Sequence, residues 1–264
     1  MDARSALFDL YGDHLNVRAD ASRGRAPVAA LVRLLASLGV QAPAVRTAVS
    51  RMVRQGWLTA VRLDAGPGYA LTPRAVRRLE EAAERIYRTS HAEWDGRWHL
   101  LVVAPPPVRA VRERLHDQLA FLGYGSLGGG TWLSPRPAPE LDATLAEAGA
   151  RAERFTAVHD GDSHALIARA WDLDGLGRSY ARFLGEAHLL LTDSDTSSDE
   201  GAFAARSGLV HAWRKFLFVD PGLPPALLPL DWPGGKAAAW FDAEASRLLP
   251  TARAYVDACL APEG

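Results

Sequence analysis

Between Pro43 and Gly56 the apolar residues recur at a spacing that an α-helix satisfies. Val45, Ala48, Val49, Met52 and Val53 stand at i, i+3, i+4, i+7 and i+8, the stripe of a helix lying on a core. Arg46, Thr47, Ser50, Arg51 and Arg54 take the opposite side. Pro43 suits the first helical position, where no amide hydrogen is needed, and Gly56 can take the left-handed conformation that ends the helix before Trp57. A solvated helix face ordinarily mixes signs and gains about 0.2–0.5 kcal/mol per i,i+4 ion pair. This face holds three arginines and no acid, so it repels itself and offers guanidinium forks and hydroxyls together to an anion.

The flanking segments give that helix a setting. "SALFDLYGDHL" carries a helical apolar spacing, and "PVAALVRLLASLG" (27 to 39) starts on proline and stops on glycine as a second helix. After the arginine helix, "WLTAVRL" alternates as a strand, "DAGPG" turns, "YALT" returns, and "PRAVRRLEEAAERIYR" forms a fourth helix begun by Thr72 and Pro73. Helix, helix, turn, helix and a two-stranded hairpin is the winged form of helix-turn-helix, whose second helix enters the DNA major groove.

Charge separates this region from the rest. Residues 1–90 hold 14 arginines against 8 acids, a net of +6, which leaves −7 for residues 91–264. Between Asp20 and Asp64 there is no acid, while Arg23, Arg25, Arg33, Arg46, Arg51, Arg54 and Arg62 all lie there. A basic module on a mildly acidic body points to nucleic acid at one end and another partner elsewhere. A single cysteine, Cys259, excludes an intrachain disulfide framework and suits a reducing cytoplasm. The start of the chain lacks the long apolar run of a signal peptide, and no run approaches 18 apolar residues, so the expectation is a cytoplasmic protein with no membrane partner.

From residue 91 the pattern changes. "RWHLLVVAP" is a buried strand, "PVRAVRERLHDQLAFLG" a helix, "YGSL" and "TWLSP" strands, "APELDATLAEAGA" a helix and "RAERFTAVHDG" a strand, the β-α-β-β-α-β order of a ferredoxin-like domain. Beyond residue 165 the chain reads as helices, interrupted by "DSDTSSDEG", expected to be a solvated loop, and by the proline-rich "DPGLPPALLPLDWPGG". The fold class is α+β in three parts: a winged helix-turn-helix over 1–90, a ferredoxin-like middle over 91–164, and a helical domain over 165–264 for effector binding and dimerisation.

No catalytic or metal constellation stands out. "GYGSLG" has the letters of a dinucleotide fingerprint but follows a helix and leads towards a strand, and Ser126 lacks the glycine two residues earlier that a nucleophile elbow requires. "HDGDSH" gathers two histidines and two aspartates in one loop, yet turn composition explains Asp-Gly-Asp-Ser equally well. "DSDTSSDEG" has Ser198 where a calcium loop needs glycine.

"SALFDLYGDH", "VRTAVSRMVRQGWL", "YALT", "ERIYR", "WDGRW", "LGYGSL", "TWLSP" and "VHAWRKFLFVDPGLPPALLPLDWPG", in this order along nearly the whole chain, resemble the PaaX family of repressors of phenylacetic-acid catabolism and related regulators. The resemblance implies a dimeric three-part repressor of a double-stranded DNA operator, released by an aryl-CoA thioester such as phenylacetyl-CoA and needing no resident cofactor. The chain departs from the family at the wing, where "LDAGPG" carries an acid and no base, so weight shifts to Arg62 beside Arg46, Thr47, Ser50, Arg51 and Arg54 as DNA-binding residues. A CoA thioester needs an apolar slot with cations at its mouth. Trp213, Arg214 and Lys215, with Arg178, Tyr180, Trp94 and Trp98, are the candidates for it, the alternative being that Trp213 is core and Arg214 pairs with the acidic loop. Two other functions stand beside a repressor: an enzyme acting on an acyl-CoA or nucleotide with an accessory DNA domain, and a DNA-binding protein without an effector.

Overall fold

In the computed structural model, which describes residues 1–20, 23–86 and 94–261, the Asp2 carboxylate accepts hydrogen bonds from the amides of Arg4 and Ser5 (3.0 and 3.1 Å) and starts α1, Ala3–Leu10. The helix widens into a π-turn over Tyr11–Leu15. Leu7, Leu10, Tyr11 and Leu15 are buried along it, and so are Asp9 and Asp13. The chain then forms β1 (Arg25–Pro27), α2 (Val28–Ala36), α3 (Ala42–Arg54), β2 (Leu58–Leu63), β3 (Gly66–Leu71) and α4 (Pro73–Ile86). The sequence extends the last helix to Arg88, and 87–93 lie outside the described residues.

The strands form an antiparallel sheet in the order β1-β3-β2. The sequence supplies only the β2–β3 hairpin. β1 escapes notice because three residues are too few to alternate, and because Pro27, extended at ψ 150°, both closes the strand and occupies the N-cap position of α2, whose helix therefore starts at Val28. Its signature is on β3: a Cβ on Gly68 would lie 2.6 Å from the Ala26 carbonyl oxygen, so the strand opposite admits no side chain.

α3 starts one residue before Pro43, which takes the second helical position, where its missing amide is equally unneeded. Its end is as the sequence requires. Gly56 has φ +72°, the Trp57 amide donates to Met52 O at 2.9 Å, and the Gly56 amide donates to Val53 O at 3.0 Å. Val45, Ala48, Val49 and Met52 enter a core shared with Leu7, Tyr11, Leu31, Leu34, Phe203, Ala252 and Val256.

A second sheet holds β4 (Trp98–Ala104), β5 (Gly125–Gly128), β6 (Thr131–Ser134) and β7 (Arg151–Ala157) in the antiparallel order β5-β6-β4-β7. α5 (Arg109–Phe121) and α6 (Leu141–Glu147) join β4 to β5 and β6 to β7, and their Leu115, Leu119, Leu141 and Leu145 pack on Leu101, Val103 and Trp132 of one sheet face. On the other face, Trp98 and Leu133 pack with Leu166 and Ile167 of α7 (Ser163–Ala170) and with Leu223 and Leu227. "GYGSLG" ends α5 and opens β5, and Asp162 of "HDGDSH" caps α7 by accepting the His164 amide at 2.8 Å.

Three further helices, α8 (Leu173–Asp193), α9 (Asp199–Arg214) and α10 (Pro233–Leu260), complete the chain. Part of the acidic stretch expected to be loop begins α9, with Ser198 capping the Gly201 amide at 3.1 Å and Asp199 and Glu200 in the first turn. Carboxylates there offset the positive end of the helix dipole. The compact units divide the chain differently from the three-part reading: one contains Met1–Ser90, Arg182–Lys215 and Ala237–Gly264, the other His91–Ala181 and Phe216–Lys236. Among the described residues no helix is long and apolar enough to cross a membrane.

His14 is 6% exposed and lies 5.1 Å from the Phe203 ring, and burial pushes its imidazole down to about 4. The unfolded chain takes up this proton near pH 6.5 and the folded chain resists it, so stability is complete above about 6.5 and falls as pH drops towards 4. Urea unfolding at pH 7 and at pH 4.5 should therefore show a smaller acid loss in His14→Phe than in the parent, by up to roughly 3 kcal/mol; equal losses would show that His14 is not the group resisting protonation.

Candidate nucleic-acid interface

α3 turns its apolar stripe to the core, and its other residues face solvent as a consequence. Arg46, Thr47, Ser50, Arg51 and Arg54 are all exposed, within an arc of about 140° at 3.6 residues per turn. The Thr47 hydroxyl donates to Pro43 O at 2.9 Å, which engages its proton and leaves its methyl and a lone pair for an outside partner. On the hairpin, Arg62 is exposed opposite Pro67, two residues before the Asp64–Gly66 turn. Among the described residues no acid pairs with Arg46, Arg51, Arg54 or Arg62.

The other arginines of the acid-free stretch differ. Arg23 bonds Glu80 at 2.7 Å, and Arg33 donates to Cys259 O at 2.6 Å. Arg25, exposed on β1, joins the unpaired set, though only the sheet order reveals it. Arg74, at the start of α4, stacks its guanidinium 4.8 Å from the Trp57 ring centroid, and Trp57 meets Phe8 edge-on at 5.3 Å. Stacking fixes the plane of that guanidinium and leaves its edge N–H groups available. The sequence signal for Arg74, an aromatic just past Gly56, carries no spacing rule that would have paired the two.

The residues selected for an effector lie in two groups. In the unit that contains α3, Trp213 is 4% exposed and stacks on Phe241 at 4.7 Å, with Phe183 at 5.2 Å. Arg214 meets Asp9 of α1, not the acidic loop, and His211 meets the same carboxylate at 2.8 Å. Lys215 is exposed. In the other unit, Trp94 and Trp98 touch at 5.2 Å, and Trp171 lies 6.3 Å from Trp98. Tyr180 is buried against Phe216, with rings parallel at 4.0 Å, and its hydroxyl reaches Asp220. Arg178, two residues earlier on α8, is exposed. Apart from Lys215 and Arg178, these residues already have packing or ionic partners within their own units.

These features agree with what the chain matches among known proteins. Three family models cover it in order: PaaX-like protein over residues 2–75, the PaaX protein central Cas2-like domain over residues 91–166, and the PaaX-like protein C-terminal domain over residues 171–258. The chain belongs to the PaaX family. It is 29% identical over 264 residues to the transcriptional repressor PaaX of Escherichia coli (strain K12), an alignment covering 96% of this chain and 82% of that one. The solved structure of the uncharacterized protein Rv0674 from Mycobacterium tuberculosis matches with a TM-score of 0.68 and 27% identity over 98% of both chains.

The pairing of Arg214 has a measurable consequence. Arg214→Ala leaves the buried Asp9 with His211 alone and should lower the free energy of unfolding by roughly 2–4 kcal/mol, whereas Lys215→Ala at an exposed site should change it by less than about 0.5 kcal/mol. Denaturant midpoints for the two variants test this, and equal midpoints would mean that the Asp9–Arg214 pair contributes nothing net.

Proposed function

We propose that this protein is a ligand-responsive, DNA-binding transcriptional repressor acting in the cytoplasm. On this reading residues 1–86 are a winged helix-turn-helix, with α3 as the recognition helix and β2–β3 as the wing, and the sheet of order β5-β6-β4-β7 is ferredoxin-like. The observation that carries the proposal is the exposed α3 face, where three arginines have no acid partner among the described residues. The kinship with the E. coli transcriptional repressor supports it.

Each arginine of α3 can fork onto guanine O6 and N7 or grip a phosphate, and Thr47 and Ser50 suit base edges, thymine methyls or phosphates. One helix reads too few base pairs to select a genomic site. A homodimer presenting two wings to an inverted repeat, with half-sites about 10–10.5 bp apart or a multiple of that, supplies the missing specificity. The effector is an acyl-CoA thioester of the aryl type, phenylacetyl-CoA being the first to try, and it must bind better to a state that cannot place both wings on DNA. The regulated operon is then one for aromatic-acid catabolism.

Sequencing the DNA fragments retained by the protein should return a palindrome. Arg46→Ala, Arg51→Ala and Arg54→Ala should each weaken operator binding at fixed salt, by about 1–3 kcal/mol for a base contact, or reduce the slope of log K against log salt by about one for a phosphate contact. Three unchanged affinities would remove α3 from the interface. Adding phenylacetyl-CoA should release the retained fragments; release by no acyl-CoA tested would leave a repressor without this class of effector.

A further inference from the structure

β7 is an edge strand blunted by charge, at Arg151, Glu153 and Arg154, but not by a bulge or a proline. It runs seven residues in unbroken register with β4, from Ala157 opposite Trp98 to Arg151 opposite Ala104, and among the described residues no strand pairs with its other side. β5, at the opposite edge, is only four residues long and is broken by a register shift between Ser126 and Gly128. β7 has no bulge, proline or lysine, and apart from the β4 ladder and the Arg154–Asp142 pair no hydrogen bond of its residues is found among the described residues. Large apolar side chains are exposed beside it: Phe155 is 51% exposed, Val158 74%, and Val102 of β4 41%. An open edge flanked by exposed apolar surface is a template for another strand.

The sequence of the strand says which strand fits. In an antiparallel pair related by a two-fold axis, one residue stands opposite its own copy. Centring on Glu153 or Arg154 sets like charges against each other, which destabilises a sheet, while centring on Thr156 leaves only three strand residues paired. Centring on Phe155 sets ring against ring, with Arg154 opposite Thr156 and Glu153 opposite Ala157 of the second copy. Arg154 meanwhile keeps Asp142 of α6 as its own partner. Leu133, Leu100 and Phe155 form one row across β6, β4 and β7, so this register continues an apolar row through the axis into the second copy.

The geometry points to β7 as the self-association surface of this protein: two copies join edge to edge, antiparallel about Phe155, into one eight-stranded sheet. The inference rests on the dimeric reading above and assigns that dimer a surface. Its two-fold axis is the symmetry that a palindromic site demands of the two wings.

Light scattering and sedimentation on the full chain test both levels. The parent protein should be a dimer. Phe155→Lys, which opposes two ammonium groups at the axis, should raise the dimer dissociation constant more than tenfold with an unchanged circular dichroism spectrum. As a second readout, Phe155→Cys in a Cys259→Ala background should cross-link into a covalent dimer on mild oxidation. Glu153→Cys in the same background should not, because its two copies stand four residues apart along the strands, about 13 Å at 3.3 Å per residue. A monomeric parent would overturn the dimeric reading and this surface together. A dimer that survives Phe155→Lys, with no cross-link through position 155, would leave the dimer standing and overturn β7 as its interface.

Discussion

Asp9 and Asp13 are buried one turn apart on a helix that otherwise faces the core with Leu7, Leu10, Tyr11 and Leu15, and much of that unit is arranged around them. Taking a carboxylate out of water costs several kcal/mol unless a cation and hydrogen bonds replace the lost hydration. α9 supplies both. Arg214 and His211 meet Asp9, and Arg206, 3% exposed, meets Asp13 while its Nε donates to Ala245 O at 2.9 Å. Asp9 lies against the later α9 residues and Asp13 against the earlier one, so the two segments run antiparallel. Removal of α9 would strand two buried charges, which makes Arg182–Lys215 part of the folding unit of Met1–Ser90.

The same arrangement explains how a chain of net charge −1 presents a basic surface. Arginines near acids or carbonyls are engaged: Arg18 with Asp20 and Asp257, Arg23 with Glu80, Arg33 with the Cys259 carbonyl, and Arg206 and Arg214 with the buried aspartates. Among the described residues no acid pairs with Arg46, Arg51 and Arg54 of α3, with Arg62 or with Arg25, although Asp64 stands two residues from Arg62 in the chain. Exposed like charges repel weakly in water and strongly attract a polyanion whose counterions they displace. A net charge near zero therefore says little about what one face of a protein binds.

The second unit shows where reading by pattern succeeds. Its strands are short, but each is bounded by a helix or a turn signal, and the β-α-β-β-α-β order leaves few ways to form an antiparallel sheet without crossing connections. β4 was legible as a buried strand because its apolar residues serve two faces, Leu101 and Val103 towards α5 and α6, Trp98 towards α7. β1 was not legible, because three residues carry no period and their pairing partner, β3, lies more than forty residues away. The start of α9 reads as loop because acidic composition favours solvent in isolation, and only the position of Ser198 as a cap gives Asp199 and Glu200 a helical role.

Near neighbours along the chain are enough to read the helix between Pro43 and Gly56, the side of it that faces the core, the hairpin after it, and the basic residues left on its outer face. These follow from periodicity, from proline and glycine at helix ends, and from the absence of acids within reach of an i,i+4 pair. Which charges are neutralised depends on contacts between segments far apart in the chain. Arg214 reads equally well as a ligand contact or as a partner of the acidic loop until Asp9, 205 residues earlier, is seen beside it. Trp213 reads as a slot until Phe241 and Phe183 close on it. Burial, and with it the cost of leaving a charge or a ring unpartnered, belongs to contacts between segments that no local pattern records.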